Sequence, residues 1–134
     1  MAIPGNKFQC AATLVGVSVI QALDHTARRC ILAAPPGAAG TLRMHFTGIT
    51  FGKSVHGHHG IHYDAERHLG GAPVTIVFRS AGRQLGMSTH RDGQGWSGFE
   101  FETAELAGQK GELTVEVTAA SNSNRKYCFE ADTR

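Results

Sequence analysis

A two-residue alternation of apolar and polar positions runs through most of the chain, and it predicts strands. Along Phe8–Ile20, Val15, Val17 and Val19 alternate with Gly16 and Ser18, with a break expected near Ala11-Ala12. Gln21–Arg28 fits one helical turn or a polar loop. Cys30–Ala33 is a short apolar strand, stopped by Pro35-Pro36, because proline has no N–H to give to a ladder. In Thr41–Phe51, Leu42, Met44 and Phe46 share one parity, and Ile49 and Phe51 share the other. One extra residue near Gly48 would make that flip as a β-bulge.

The second half repeats the pattern. Val74–Arg79 is a strand. Gln84–His90 is another, with Leu85 and Met87 expected inward and Ser88 and His90 outward. Asp92-Gly93 marks a turn. Trp96–Glu102 places Phe99 and Phe101 inside and Glu100 and Glu102 outside. Thr103–Gly108 reads as one helical turn capped by Thr103. Glu112–Thr118 and Arg125–Ala131 close the chain, with Leu113, Val115, Val117, Tyr127 and Phe129 facing in. About eight strands and no long helix predict a single all-β domain over residues 1–134. The fold class expected is an antiparallel β-sandwich of jelly-roll type.

Composition narrows the partners. A length of 134 residues suffices for one full core. The net charge of +2 and the lack of a basic run argue against a nucleic-acid or membrane partner. The pairs Arg28-Arg29 and Arg125-Lys126 read as solvated faces. No apolar run approaches the ~18 residues needed to cross a bilayer. Ala11–Ile20 lacks a basic lead-in and reads as a core strand rather than a signal peptide. The three cysteines, Cys10, Cys30 and Cys128, contain no CxxC, which argues against a thiolate zinc site. Two alternatives stay open: three reduced, buried thiols, or a Cys10–Cys128 bridge between terminal strands lying side by side.

The run GWSGFEFETAELAGQKGELTVEVTAASNSNRKYCFEADTR, Gly95–Arg134, resembles the closing strands of galactose-binding-like jelly-roll modules. The likeness lies in an aromatic strand, a Thr-x-x-Leu-Ala-Gly turn, an alternating strand and a final aromatic strand. It covers about a third of the chain. It implies a sandwich that binds sugars or other small ligands through loops at one end. His56-Gly57-His58 also offers the HxH of a cupin metal motif, but His62 or Tyr63 stands where that motif needs Glu.

Two sets of residues could carry chemistry. Five of the eight histidines lie in Ser54–His68, read as a connection at the rim of the sandwich. At i and i+2 of an extended segment, His56 and His58 would lie ~6–7 Å apart on one side. With His62 they could ligate a transition metal (Zn, Ni or Cu) at ~2.0–2.1 Å. A solvated polar loop has the same composition. The second set is Trp96, between small residues, with Tyr63 and Arg91: aromatic faces and a hydrogen-bonding fork for a sugar ring. No GxSxG, phosphate loop or dinucleotide fingerprint is present, and cysteines in apolar strands are inert. The leading expectation is a small ligand-binding module, with a small molecule or glycan as partner. A metal-binding protein or metal-dependent enzyme is the rival. A self-assembling subunit, a homo-oligomer formed through exposed strand edges, is the third.

Overall fold

In the computed structural model, which describes residues 7–10, 13–38 and 40–134, the alternating segments become strands. They are β1 (Lys7–Cys10), β2 (Thr13–Gln21), β3 (Ala27–Ala33), β4 (Leu42–Thr50), β5 (Ser54–Ile61), β6 (Val74–Ser80), β7 (Arg83–His90), β8 (Ser97–Glu102), β9 (Lys110–Ala119) and β10 (Tyr127–Thr133). A short helix, α1 (Tyr63–Glu66), and a 3-10 turn at Ala104–Leu106 complete the described elements. Ten strands among the described residues replace the eight expected, because the Phe8–Ile20 stretch contributes to both β1 and β2 and the histidine-rich stretch forms β5.

One sheet has the order β1-β2-β3-β10-β5-β8 and the other β4-β9-β6-β7, all pairs antiparallel. With the β1–β2 hairpin set aside, β3-β10-β5-β8 against β4-β9-β6-β7 is the strand order of a jelly roll. The two inner faces enclose Leu42, Met44, Ile61, Ile76, Phe78, Val115, Val117, Tyr127 and Phe129. Phe78 stands at the centre, with Phe99, Phe101 and Phe129 at ring distances of 5.5, 5.1 and 6.4 Å. Each such side chain contributes about 1.5–3 kcal/mol by leaving water.

The parity flip in β4 is a bulge, as the pattern predicts: the register against β9 shifts between Phe46 and Ile49, and Gly48 takes φ 69°. β7 departs from expectation. Phe78 pairs with Gly86 but Arg79 with Gln84, so Leu85 has no cross-strand partner and the parity reverses beyond it. Met87 is therefore 55% exposed and His90 is buried, the opposite of the sequence reading. Thr103 does not cap the 3-10 turn. Its hydroxyl donates to the Gly52 carbonyl at 2.8 Å.

The histidine-rich stretch is a full interior strand rather than a rim loop, paired along its length with β10 and β8. Val55, Gly57, His59 and Ile61 face the core side, and His56, His58 and Gly60 face out. Gly57 is obligatory there: a Cβ would lie 2.4 Å from both the Glu130 carbonyl oxygen and the Phe99 ring.

Cys128 is bonded to Cys30, not to Cys10. The reason is topological, since two strands lie between β1 and β10 while β3 is adjacent to β10. β3 and β10 pair at only two positions, Leu32–Cys128 and Ile31–Phe129, and the disulfide staples this short seam. Around it, Ile20, Leu32 and Trp96 form a second, smaller apolar cluster.

Candidate functional site

Three connections meet at one end of the sandwich: residues 62–73 between β5 and β6, 91–96 between β7 and β8, and 120–126 between β9 and β10. Two buried polar assemblies hold them together. In the first, Arg125 clasps Asp92 with both terminal nitrogens, at 2.8 and 3.1 Å. These side chains are only 2% and 3% exposed. Arg125 also donates to the Ala72 and Ser123 carbonyls, and Asp92 accepts the Gly71 N–H at 2.9 Å. One bidentate pair thus fastens all three connections. Gly71 is a requirement of the clasp, because a Cβ there would fall 2.2 Å from the guanidinium and 2.5 Å from the carboxylate.

The second assembly is centred on Glu66, the last residue of α1 and wholly buried. Its carboxylate accepts the Ile61 N–H at 3.1 Å and the Gly95 N–H at 2.6 Å, and pairs with His90 Nε2 at 2.5 Å. His90 Nδ1 meets Ser97 Oγ at 3.0 Å. Beside it, His59 Nδ1 lies 2.7 Å from the Tyr127 hydroxyl and Nε2 lies 3.1 Å from Ser88 Oγ. Burial, reinforced by the neighbouring His90 and His58, pushes the His59 pKa down to about 3. The ring is neutral, so one of its nitrogens donates and the other accepts, each toward a hydroxyl that can take either role. Burial likewise raises the Tyr127 phenol well above its ordinary range, which keeps the hydroxyl protonated.

Ser97, His90 and Glu66 fall in the order of a nucleophile, a base and an orienting acid. His90 and Glu66 have no exposed surface, and Ser97, itself half-buried, meets the ring at Nδ1. The set ties the 62–73 and 91–96 connections to the ends of β7 and β8.

Above the clasp, residues 62–72 and 121–126 line a groove of about 780 Å³. Its rim carries His62, Asp64, His68, Ser123, Asn124 and Lys126 beside the apolar Ala65, Leu69 and Ala72. Leu69 is 78% exposed. Asn124 takes φ 53°, a left-handed conformation that asparagine tolerates, which turns this wall of the groove.

The residues singled out from sequence are not all brought together. His56 and His58 do share the outer face of β5, but each turns to a different neighbouring strand. His56 Nε2 lies 2.8 Å from Ser54 Oγ and 3.5 Å from Glu100, and His58 Nδ1 lies 2.6 Å from Glu130. His62 lies past the strand end, where Nδ1 accepts the Asp64 N–H as the cap of α1. The three-imidazole set is therefore not assembled. Among the described residues no group of three His, Cys, Asp or Glu side chains is placed to hold a metal ion.

Tyr63 sits at the head of α1, its ring 4.6 Å from His25 and 4.9 Å from His62, beside the groove. Arg91 is exposed and does not line the groove. Trp96 packs into the cluster around the disulfide, with His58 parallel to it at 6.2 Å and the Arg28 guanidinium 6.0 Å from its ring. Trp96 is half-buried and lies away from the groove, on the disulfide side of the β3-β10-β5-β8 sheet.

The pairings of Asp92 with Arg125 and of Glu66 with His90 escaped the sequence reading, which offered His90 only as a further metal ligand. Arg125, taken for a solvated charge, is 4% exposed. The one available signal was the pairing of a turn aspartate, Asp92, with an arginine immediately before an apolar strand. No protein-family model matches the chain, and no curated protein matches it in sequence.

Proposed function

We propose that the chain is a small ligand-binding module and that its ligand is a carbohydrate seated in the groove between residues 62–72 and 121–126. The observation that carries this reading is the pairing of a rigid floor with an open polar rim. The Asp92–Arg125 clasp and the Glu66 assembly fix the three connections. The side chains of His68, Ser123, Asn124 and Lys126 have no hydrogen-bond partner among the described residues. A volume of about 780 Å³ suits one or a few sugar rings, within the ~300–1,000 Å³ usual for small-molecule sites. Leu69, Ala65 and Ala72 supply apolar surface for the C–H face of a ring, and the polar groups answer its hydroxyls. A groove whose walls are already ordered loses little conformational entropy on binding. The jelly-roll strand order and the Gly95–Arg134 likeness to galactose-binding-like modules favour the same reading, since such modules bind through loops at one end.

The test is calorimetric titration of the full chain with a panel of neutral and acidic oligosaccharides. At least one should bind with Kd below ~1 mM, about −4.1 kcal/mol. His68→Ala and Asn124→Gly, both at exposed positions and the second keeping the left-handed backbone, should each weaken it at least five-fold. Binding to no member of the panel would refute the reading, as would binding that both variants leave unchanged.

A further inference from the structure

We infer that the groove selects an anionic saccharide, with Lys126 as the residue that reads the charge. This rests on the carbohydrate reading above and sharpens it. One cation lining the groove is left without a partner among the described residues. Arg125 is neutralised by Asp92 in the buried bidentate pair. Asp64, the one carboxylate lining the groove, stands at the head of α1 beside His62 and forms no ion pair with Lys126. What remains is Lys126, exposed and without an acidic partner among the described residues, with the similarly unpartnered His68 on the facing segment.

Lys126 is also well placed. Its backbone carbonyl accepts the His62 N–H at 3.2 Å, which ties the residue to the head of α1. Its immediate neighbours in sequence, Arg125 and Tyr127, are buried. An ammonium on a fixed backbone beside hydroxyl and amide donors suits a ring that carries hydroxyls and one carboxylate, as a uronic acid does. A neutral sugar would leave the ammonium no worse solvated, but it would gain nothing from it. The selectivity is therefore electrostatic and must fade as salt screens it.

The experiment compares trigalacturonate with its fully methyl-esterified form, which keeps the sugar skeleton and removes the charge. Both are titrated calorimetrically into the wild-type chain and into Lys126→Gln at low and high salt. Circular dichroism confirms that the variant is folded, and Lys126→Glu serves as a second variant. The acid should bind the wild type at least five-fold tighter than the ester at low salt. The preference should shrink at high salt, vanish in Lys126→Gln and reverse in Lys126→Glu. Equal affinity for acid and ester would overturn the inference while leaving carbohydrate binding intact. A preference that survives in Lys126→Gln would overturn the assignment of the residue. If neither probe binds while a neutral glycan of the panel does, selection of acidic sugars is likewise refuted. Binding to no saccharide at all would remove both readings together.

Discussion

Replacing Asp92 by Asn tests how the groove is held. The change keeps the shape of the side chain and removes one charge. In the native chain the carboxylate accepts three hydrogen bonds, at 2.8 and 3.1 Å from Arg125 and 2.9 Å from the Gly71 N–H. The Asn amide offers a single acceptor oxygen and turns its NH₂ toward a donor. A hydrogen bond to a charged group is worth about 1.5–3 kcal/mol. Its loss comes with a guanidinium that stays buried without a counter-charge, and breaking a buried pair from one side costs about 3–5 kcal/mol. The bonds from Arg125 to the Ala72 and Ser123 carbonyls remain, so the lower half of that range is expected. The assay is urea denaturation followed by circular dichroism and by fluorescence of Trp96, the single tryptophan. The double variant Asp92→Asn/Arg125→Met completes a cycle and should be more stable than Asp92→Asn alone, because the orphaned charge is gone. A loss below ~1 kcal/mol in Asp92→Asn would refute the claim that this pair clamps the three connections.

Other outcomes follow from the same structure. His59 takes up its proton at about 3 in the fold against 6.5 for an ordinary histidine. Stability due to its neutral form is thus complete above pH 6.5 and falls with pH by about 1.4 kcal/mol per unit until the folded pKa is reached. Denaturation at pH 7, 5 and 4 should show this slope, and His59→Gln should show a shallower one; equal slopes would contradict it. The Cys30–Cys128 bridge spans 98 positions, so its loss in the Cys30→Ser/Cys128→Ser double variant should destabilise by up to about 4.7 kcal/mol. Peptide mapping without reductant should recover the Cys30–Cys128 pair, and recovery of a Cys10 pairing would contradict the topology. Gly57→Ala should cost at least about 1–3 kcal/mol, because its Cβ meets a backbone oxygen that cannot move without breaking the β5–β10 ladder. A neutral result in the same denaturation assay would count against the strand.

The jelly roll was legible because its core strands keep period-two alternation: Phe99 and Phe101, Val115 and Val117, and Tyr127 and Phe129 all face inward as the pattern requires. The missed strand, β5, carries a polar residue on the core side. His59 is acceptable there only because Tyr127 and Ser88 satisfy both ring nitrogens, and no local pattern announces partners 68 and 29 residues away. The parity of Val55, Gly57, His59 and Ile61 was the available clue. In β7 the reversal comes from an unpaired Leu85, which depends on register with β6 rather than on β7 itself. The candidate site was the least legible part. Its floor is made by pairings distant in sequence, Asp92 with Arg125 and Glu66 with His90, and an arginine in a polar loop looks solvated until its partner is seen. Tyr63 and His62 were found near the groove, whereas Trp96 and Arg91 were found elsewhere.

The most direct test of the ligand-binding reading is a ¹⁵N-resolved titration of the full chain with trigalacturonate and a neutral oligosaccharide panel. Binding in the groove should move amide resonances of residues 62–72 and 121–126 and leave the outer faces of both sheets unchanged. Shifts centred on β5 and β8 around His58 and Trp96, or no shifts with any saccharide, would contradict it.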